Sequence, residues 1–155
     1  TVVEEDVFIK WPNDIYVGQK KICGILIENQ FRGKHFESSI IGIGLNVNQS
    51  NFQNLPRVTS LILELKKELE LRSVLDDLLK SIEICYLRLQ REGVSMIHEE
   101  YLVNLLFIDE MRRYKTLQGE IIGKIVNVLS NGKLEIETKD GQLFNFDIKE
   151  LEFVF

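Results

Sequence analysis

Residues 10–28 read KWPNDIYVGQKKICGILIE, and the way this stretch turns back on itself decides what can be built around it. It follows Val7, Phe8 and Ile9, a short apolar run that reads as a buried strand. Lys10, Trp11, Asn13 and Asp14 therefore gather where that strand leaves its sheet, a usual place for a ligand site. Pro12 fixes its own φ and biases Trp11 toward an extended backbone, which makes the passage into Asn13 and Asp14 a defined turn. Ile15–Val17, then Gly18-Gln19-Lys20, then the apolar run from Ile22 to Ile27 predict a hairpin. Lys21 is thereby carried back toward Asn13 and Asp14.

Outward from this segment the first third continues as strands, at residues 21–29 and 36–47, with Gly33 in the turn between them. Residues 48–57 change to Asn, Gln, Ser and Pro, the composition of an exposed loop. Thr59 or Ser60 is placed to cap a short helix running to Leu69, and Ser73 with Asp76 forms an S-x-x-D capping pattern for the next. In that second helix Leu75, Leu78, Leu79, Ile82, Cys85, Tyr86 and Leu89 recur at steps of three and four, so one stripe is expected to pack on a broad apolar surface such as the sheet. Gly93 ends it, and residues 95–106 read as a third helix.

From Tyr114 onward the period becomes alternating. Residues 119–129, 133–138 and 142–147 read as strands joined by Ser130-Asn131-Gly132 and Lys139-Asp140-Gly141, the strongest hairpin signals available. Residues 151–155 add a fourth. So small a strand set is expected to close into a barrel. The fold class is therefore α+β, a partial mixed sheet with packed helices followed by a small barrel.

The 155 residues carry 45% hydrophobic and 28% charged side chains, enough for a core in a soluble globular chain. A net charge of −5 argues against a general nucleic-acid binder, and no helix-turn-helix pattern is visible. Cys23 and Cys85 lack metal or redox spacing and read as buried free thiols of a reducing compartment. With no signal peptide and no apolar run of membrane-spanning length, the expected place is the cytoplasm and no membrane partner is expected.

Gly42-Ile43-Gly44-Leu45-Asn46 puts glycines inside an otherwise strong strand, where they cost stability unless a backbone must bend or a ligand must come close. Asn46 offers a donor and an acceptor, the pair needed to read an adenine edge. A β-bulge with a turn-forming Asn is the plainer alternative. For Asp14 the plain alternative is a turn cap, for Asn13 a turn residue, and for Lys10 and Lys21 solvated surface lysines.

Taken together these blocks resemble the biotin–protein ligases. Lys10–Asp14 match the KWPND block of that family, Lys21-Ile22-Cys23-Gly24-Ile25-Leu26 its following lysine strand, and Gly42–Asn48 (GIGLNVN) and Thr59-Ser60-Leu61 two further segments. The family's glycine- and arginine-rich loop, GRGRxG, precedes KWPND and has no counterpart here. The resemblance thus implies the C-terminal part of a ligase: residues 1–110 from the catalytic domain and 111–155 an SH3-like domain. It implies ATP, biotin and Mg²⁺ as cofactors, with biotinyl-AMP formed and passed to a lysine of the biotin carboxyl carrier protein of acetyl-CoA carboxylase. Lys21 becomes the fixed cation of the reacting centre, and Asp14 a metal ligand or the group that orients or deprotonates the acceptor lysine. Lys10, Asn13, Gly24, Gly42, Gly44 and Asn46 become contacts to the bound cofactors. Arg57 is left outside this set, and a homodimer is left open. The alternatives are a lipoate–protein ligase-like acyltransferase and a non-catalytic carrier-binding or dimerisation module.

Overall fold

The computed structural model describes residues 6–155. Strands β1 (Val7–Lys10), β2 (Asp14–Val17), β3 (Lys20–Arg32) and β4 (His35–Leu45) form an antiparallel meander in the order β1-β2-β3-β4. They are followed by α1 (Leu61–Leu65), α2 (Leu71–Glu92) and α3 (Val94–Val103). Then come β5 (Arg112–Thr116), β6 (Gly119–Val128), β7 (Leu134–Thr138), β8 (Leu143–Phe146) and β9 (Leu151–Phe153). The chain divides into two compact units after Arg91, and α3 falls in the second with the second sheet.

The second sheet is open, in the order β8-β7-β6-β5-β9, and not the closed barrel expected. It includes β5, which was not among the strands read from the sequence: Arg-Arg-Tyr-Lys-Thr has one buried side chain, Tyr114, among polar neighbours. β9 pairs with β5 from Tyr114 to Thr116, which leaves β8 and β9 as the two edges. Gly132 (φ 84°) and Gly141 (φ 79°) take the left-handed backbone that the two hairpin turns need, as NG and DG predict. The core here is Tyr114, Ile125, Leu134, Ile136 and Phe153, with the Tyr114 and Phe153 rings edge to face at 5.4 Å.

Three helical expectations change. Helix α1 stops at Leu65 because Lys66 turns left-handed (φ 56°), and neither Thr59 nor Ser60 caps it through a side chain that bonds the helix N–H groups. Helix α2 starts at Leu71, ahead of the Ser73 pattern, since the Glu70 carboxylate accepts the N–H groups of Arg72 and Ser73. Its apolar stripe is not packed on the sheet. Leu75, Leu79, Ile82 and Tyr86 are all exposed and α2 buries no residue, so the periodicity reports amphipathicity without supplying a partner. Cys85, on that stripe, is likewise exposed, while Cys23 is buried as expected.

Candidate active site

The KWPND turn is fastened to the middle of β3. Lys10 and Asp14 face each other across the β1–β2 turn, where the Trp11–Pro12 peptide is cis. The Ile25 N–H donates to the Asn13 carbonyl at 3.0 Å, and the Asn13 side-chain amide donates to the Ile25 carbonyl. Asn13 is thus a clamp that sets Asp14 directly opposite Gly24.

A bulge then brings Lys21 into the site. Between β2 and β3 the register runs Asp14↔Gly24, Ile15↔Cys23, Tyr16↔Lys21, so Ile22 is the extra residue. Strict alternation would put Lys21 and Gly24, three apart, on opposite faces, and the bulge restores them to one. The Lys21 Nζ lies 2.7 Å from Asp14 Oδ1, an ion pair that is only partly exposed. Lys10 Nζ stands 6.0 Å from the centroid of the Tyr16 ring. The sequence reading placed Lys21, Asp14 and Lys10 together, and the structure brings them together.

Beside the ion pair lies a floor of bare backbone. Gly24 pairs with Gly44 on β4, and Gly42 follows two residues along the same face. A side chain at Gly44 would make only ordinary contact, its nearest neighbour being the Gly24 carbonyl oxygen at 3.6 Å, and one at Gly42 would come no nearer than 3.9 Å to Leu26. Packing within the protein does not require these two glycines, and neither has a positive φ. Their ladder is regular, so the bulge reading of this block does not hold.

The end of this floor is held by a segment far along the chain. The Lys21 N–H donates to the Arg57 carbonyl and the Thr59 N–H to the Lys21 carbonyl, both at 2.9 Å, so residues 57–59 run parallel to β3 where β4 has ended. Asn46 couples β4 to this segment: its side-chain amide donates to the Thr59 carbonyl at 3.0 Å, and its carbonyl accepts the Leu61 N–H. One of the two amide N–H groups of Asn46, expected to read adenine, is therefore engaged within the protein. Thr59 and Ser60 are buried yet satisfied, by Glu64 and by the Gln49 carbonyl.

Two residues beside the ion pair lie outside the set read from the sequence, Tyr16 unnoticed there and Arg57 left aside. Tyr16 sits two positions beyond Asp14 on β2, and period-two alternation was the signal that would have found it. Burial raises its hydroxyl pKa, the Asp14 charge adds to this, and the Arg57 guanidinium opposes it. Arg57 is the second, its backbone on Lys21 and its charge felt at Tyr16. Cys23 lies in the same field, its thiol pushed up chiefly by burial, with Lys21 pulling it down and Asp14 pushing it up.

Residues 3–46 match the biotin/lipoate A/B protein ligase family. The bifunctional ligase/repressor BirA of Bacillus spizizenii is 33% identical over 148 residues, covering 91% of this chain and 45% of that protein. This chain is a relative of the biotin protein ligases. Biotin–protein ligase 1, chloroplastic, of Arabidopsis thaliana is 55% identical over 42 residues, 27% of this chain and 11% of that protein. Among solved structures the apo biotin protein ligase of Aquifex aeolicus superposes with TM-score 0.75 at 27% identity, covering 96% of this chain and 65% of that one. The same organism's ligase in complex with biotin and ATP gives TM-score 0.72 at 28% identity, over 94% of this chain and 61% of that one. The chain spans just under half the length of the curated Bacillus ligase that it matches. The family match takes in Lys10, Asn13, Asp14, Lys21, Gly24, Gly42, Gly44 and Asn46, and it stops short of the 57–60 segment that ties Lys21 in place.

Proposed function

We propose that this chain is the C-terminal portion of a biotin–protein ligase that activates biotin with ATP and transfers it to a lysine of a biotin carboxyl carrier protein. The observation that carries this reading is the Lys21–Asp14 ion pair at 2.7 Å, set beside the glycine floor of β3 and β4. In the first step a biotin carboxylate oxygen attacks the α-phosphorus, the bond to the bridging oxygen of pyrophosphate breaks, and pyrophosphate leaves. Negative charge builds on the α-phosphoryl oxygens. A lysine fixed on a strand and tied at both of its backbone groups is already in place to meet that charge, without reorganisation at the moment of reaction. In the second step the ε-amine of the carrier lysine attacks the acyl carbon, AMP departs, and the amine loses a proton. Asp14 is placed to orient or receive that proton.

The floor of Gly24, Gly42 and Gly44 lets the adenylate lie close to main chain, and Lys10 adds positive potential for the phosphates. Asn46 serves by holding Thr59 and hence residues 57–60 at the end of the floor. Among the described residues no cluster of three His, Cys, Asp or Glu could hold a metal ion. A single carboxylate, Asp14, fits Mg²⁺ that arrives on the nucleotide with its waters and not a resident ion. When bound, that ion would neutralise phosphate charge. No helix is long and apolar enough to cross a membrane among the described residues, and the cytoplasm is the proposed place of action.

The test is exchange of labelled pyrophosphate into ATP by the complete ligase that contains this chain. Exchange that depends on biotin, followed by a mass gain of one biotinyl group on apo carrier protein, is the expected result. Exchange that depends on lipoate instead would overturn it. The 155-residue chain alone is expected to show no exchange, because it spans less than half the length of the Bacillus ligase it matches.

A further inference from the structure

Gly24 differs from the other glycines of the floor in what surrounds it. The three heavy atoms nearest to the position a Cβ would take there are Lys21 Nζ at 3.1 Å, Lys21 Cε at 3.2 Å and Asp14 Oδ1 at 3.4 Å. Those atoms are the two partners of the ion pair. Gly24 has no positive φ, so its backbone does not call for glycine, and a glycine inside a strand is otherwise a loss of stability. The absent side chain leaves the volume in which the ammonium and carboxylate meet.

We propose that Gly24 is a positioning residue for Lys21: by lacking a Cβ it lets the lysine fold over β3 onto Asp14, and so fixes where the positive charge stands. This deepens the ligase reading above and rests on it. A methyl group at 3.1 Å is closer than such contacts normally are, and the atom that must yield is the end of a flexible side chain. An alanine there is therefore expected to leave the fold intact and to move the ammonium by a few tenths of an ångström or into another rotamer. Catalysis is sensitive to displacements on that scale.

In the complete ligase, Gly24→Ala is expected to lower kcat for adenylate formation by roughly 10–100-fold while KM for biotin stays within about twofold. In a Lys21→Gln background the same substitution should cost less than about twofold, since the group it displaces is gone. Proton NMR of the lysine ε-methylenes should show the Lys21 signal moved in Gly24→Ala and the Lys20 signal unmoved. A fully active Gly24→Ala enzyme in which Lys21→Gln is crippled, or losses that simply multiply in the double variant, would overturn the positioning role. Wild-type rates in Lys21→Gln would overturn instead the reading on which it rests. Should Gly24→Ala not fold, Gly24→Ala with Lys21→Ala, which removes the obstructing atoms, is expected to fold; if it does not, the glycine serves the backbone and the proposal is wrong.

Discussion

In the second unit Tyr114, Ile125, Leu134 and Ile136 have no exposed surface, while on the first sheet Leu26, Phe31, Phe36, Ile40 and Ile41 are each more than half exposed. Both units carry long antiparallel ladders, so backbone pairing is not what separates them. One satisfies its side chains by burial. The other leaves apolar groups on both faces of the β3–β4 hairpin, Leu26 and Ile40 on one and Ile27 and Ile41 on the other, and concentrates its burial and its main-chain and amide ties at the end that holds Lys21 and Asp14. The comparison teaches that a small core suffices where ties are added to it, for in the first sheet Trp11, Tyr16, Ile22 and Cys23 are buried only at the tied end. Asn13 on Ile25, Asn46 on Thr59 and the two bonds at Lys21 reinforce that local packing.

Removing bulk should separate the units most sharply. Ile136→Ala is expected to cost about 2–5 kcal/mol in denaturant unfolding, as a large-to-small change at a fully buried position. Ile41→Ala should stay within roughly 0.5 kcal/mol. Equal costs would show that Ile41 is covered in solution and would break the contrast. At the tied end the expected effect is on rate. Lys21→Gln in the complete ligase should reduce adenylation by about 10²–10³, the scale of one well-placed electrostatic donor, with little change in stability. Lys20→Gln, exposed and outside the ion pair, should leave the rate near wild type. Sensitivity at Lys20 in place of Lys21 would mean that the bulge is misplaced.

A smaller effect is expected inside the second core. Among the described residues the buried Tyr114 hydroxyl has no hydrogen-bond partner. Tyr114→Phe should therefore raise stability, by about 1 kcal/mol, where loss of a partnered hydroxyl would lower it. Calorimetry decides the sign. A further effect is one of pH, confined to strongly alkaline solution. Burial pushes the Tyr101 hydroxyl up to about 12 and raises that of Tyr114 as well, both from an ordinary value of 10. Each holds its proton more tightly folded than unfolded, so the stability it contributes is whole below pH 10 and falls as pH rises toward the folded values. Tyrosinate absorbance and unfolding free energy followed together through this range should fall in step for the wild type. Tyr101→Phe should flatten the loss.

Local chemistry was legible in the sequence where it was carried by neighbouring residues. The Asn131-Gly132 and Asp140-Gly141 turns, the β1–β2 reversal at Pro12 and the meeting of Lys21 with Asp14 all follow from residues within about a dozen positions of each other. β5 stayed hidden because a strand with one buried residue has no alternation to read. The bulge at Ile22 stayed hidden because nothing in KKICG marks which residue is extra. The tie from Arg57 and Thr59 to Lys21 is made by backbone groups, which every residue possesses, so no side-chain pattern announces it. Periodicity in α2 was read correctly as an apolar stripe and then given a partner that the stripe itself does not specify.

The double tie at Lys21 has a consequence in time. With its N–H on Arg57 and its carbonyl on Thr59, the main chain beneath the lysine cannot drift without breaking both bonds, so the ammonium is left only its side-chain torsions to explore. Such torsions change in picoseconds to nanoseconds, whereas loops that close over a substrate take microseconds or longer. Held by Asp14 as well, the charge at this end of the site would need at most such a torsion to meet an arriving phosphate, and no movement of the main chain.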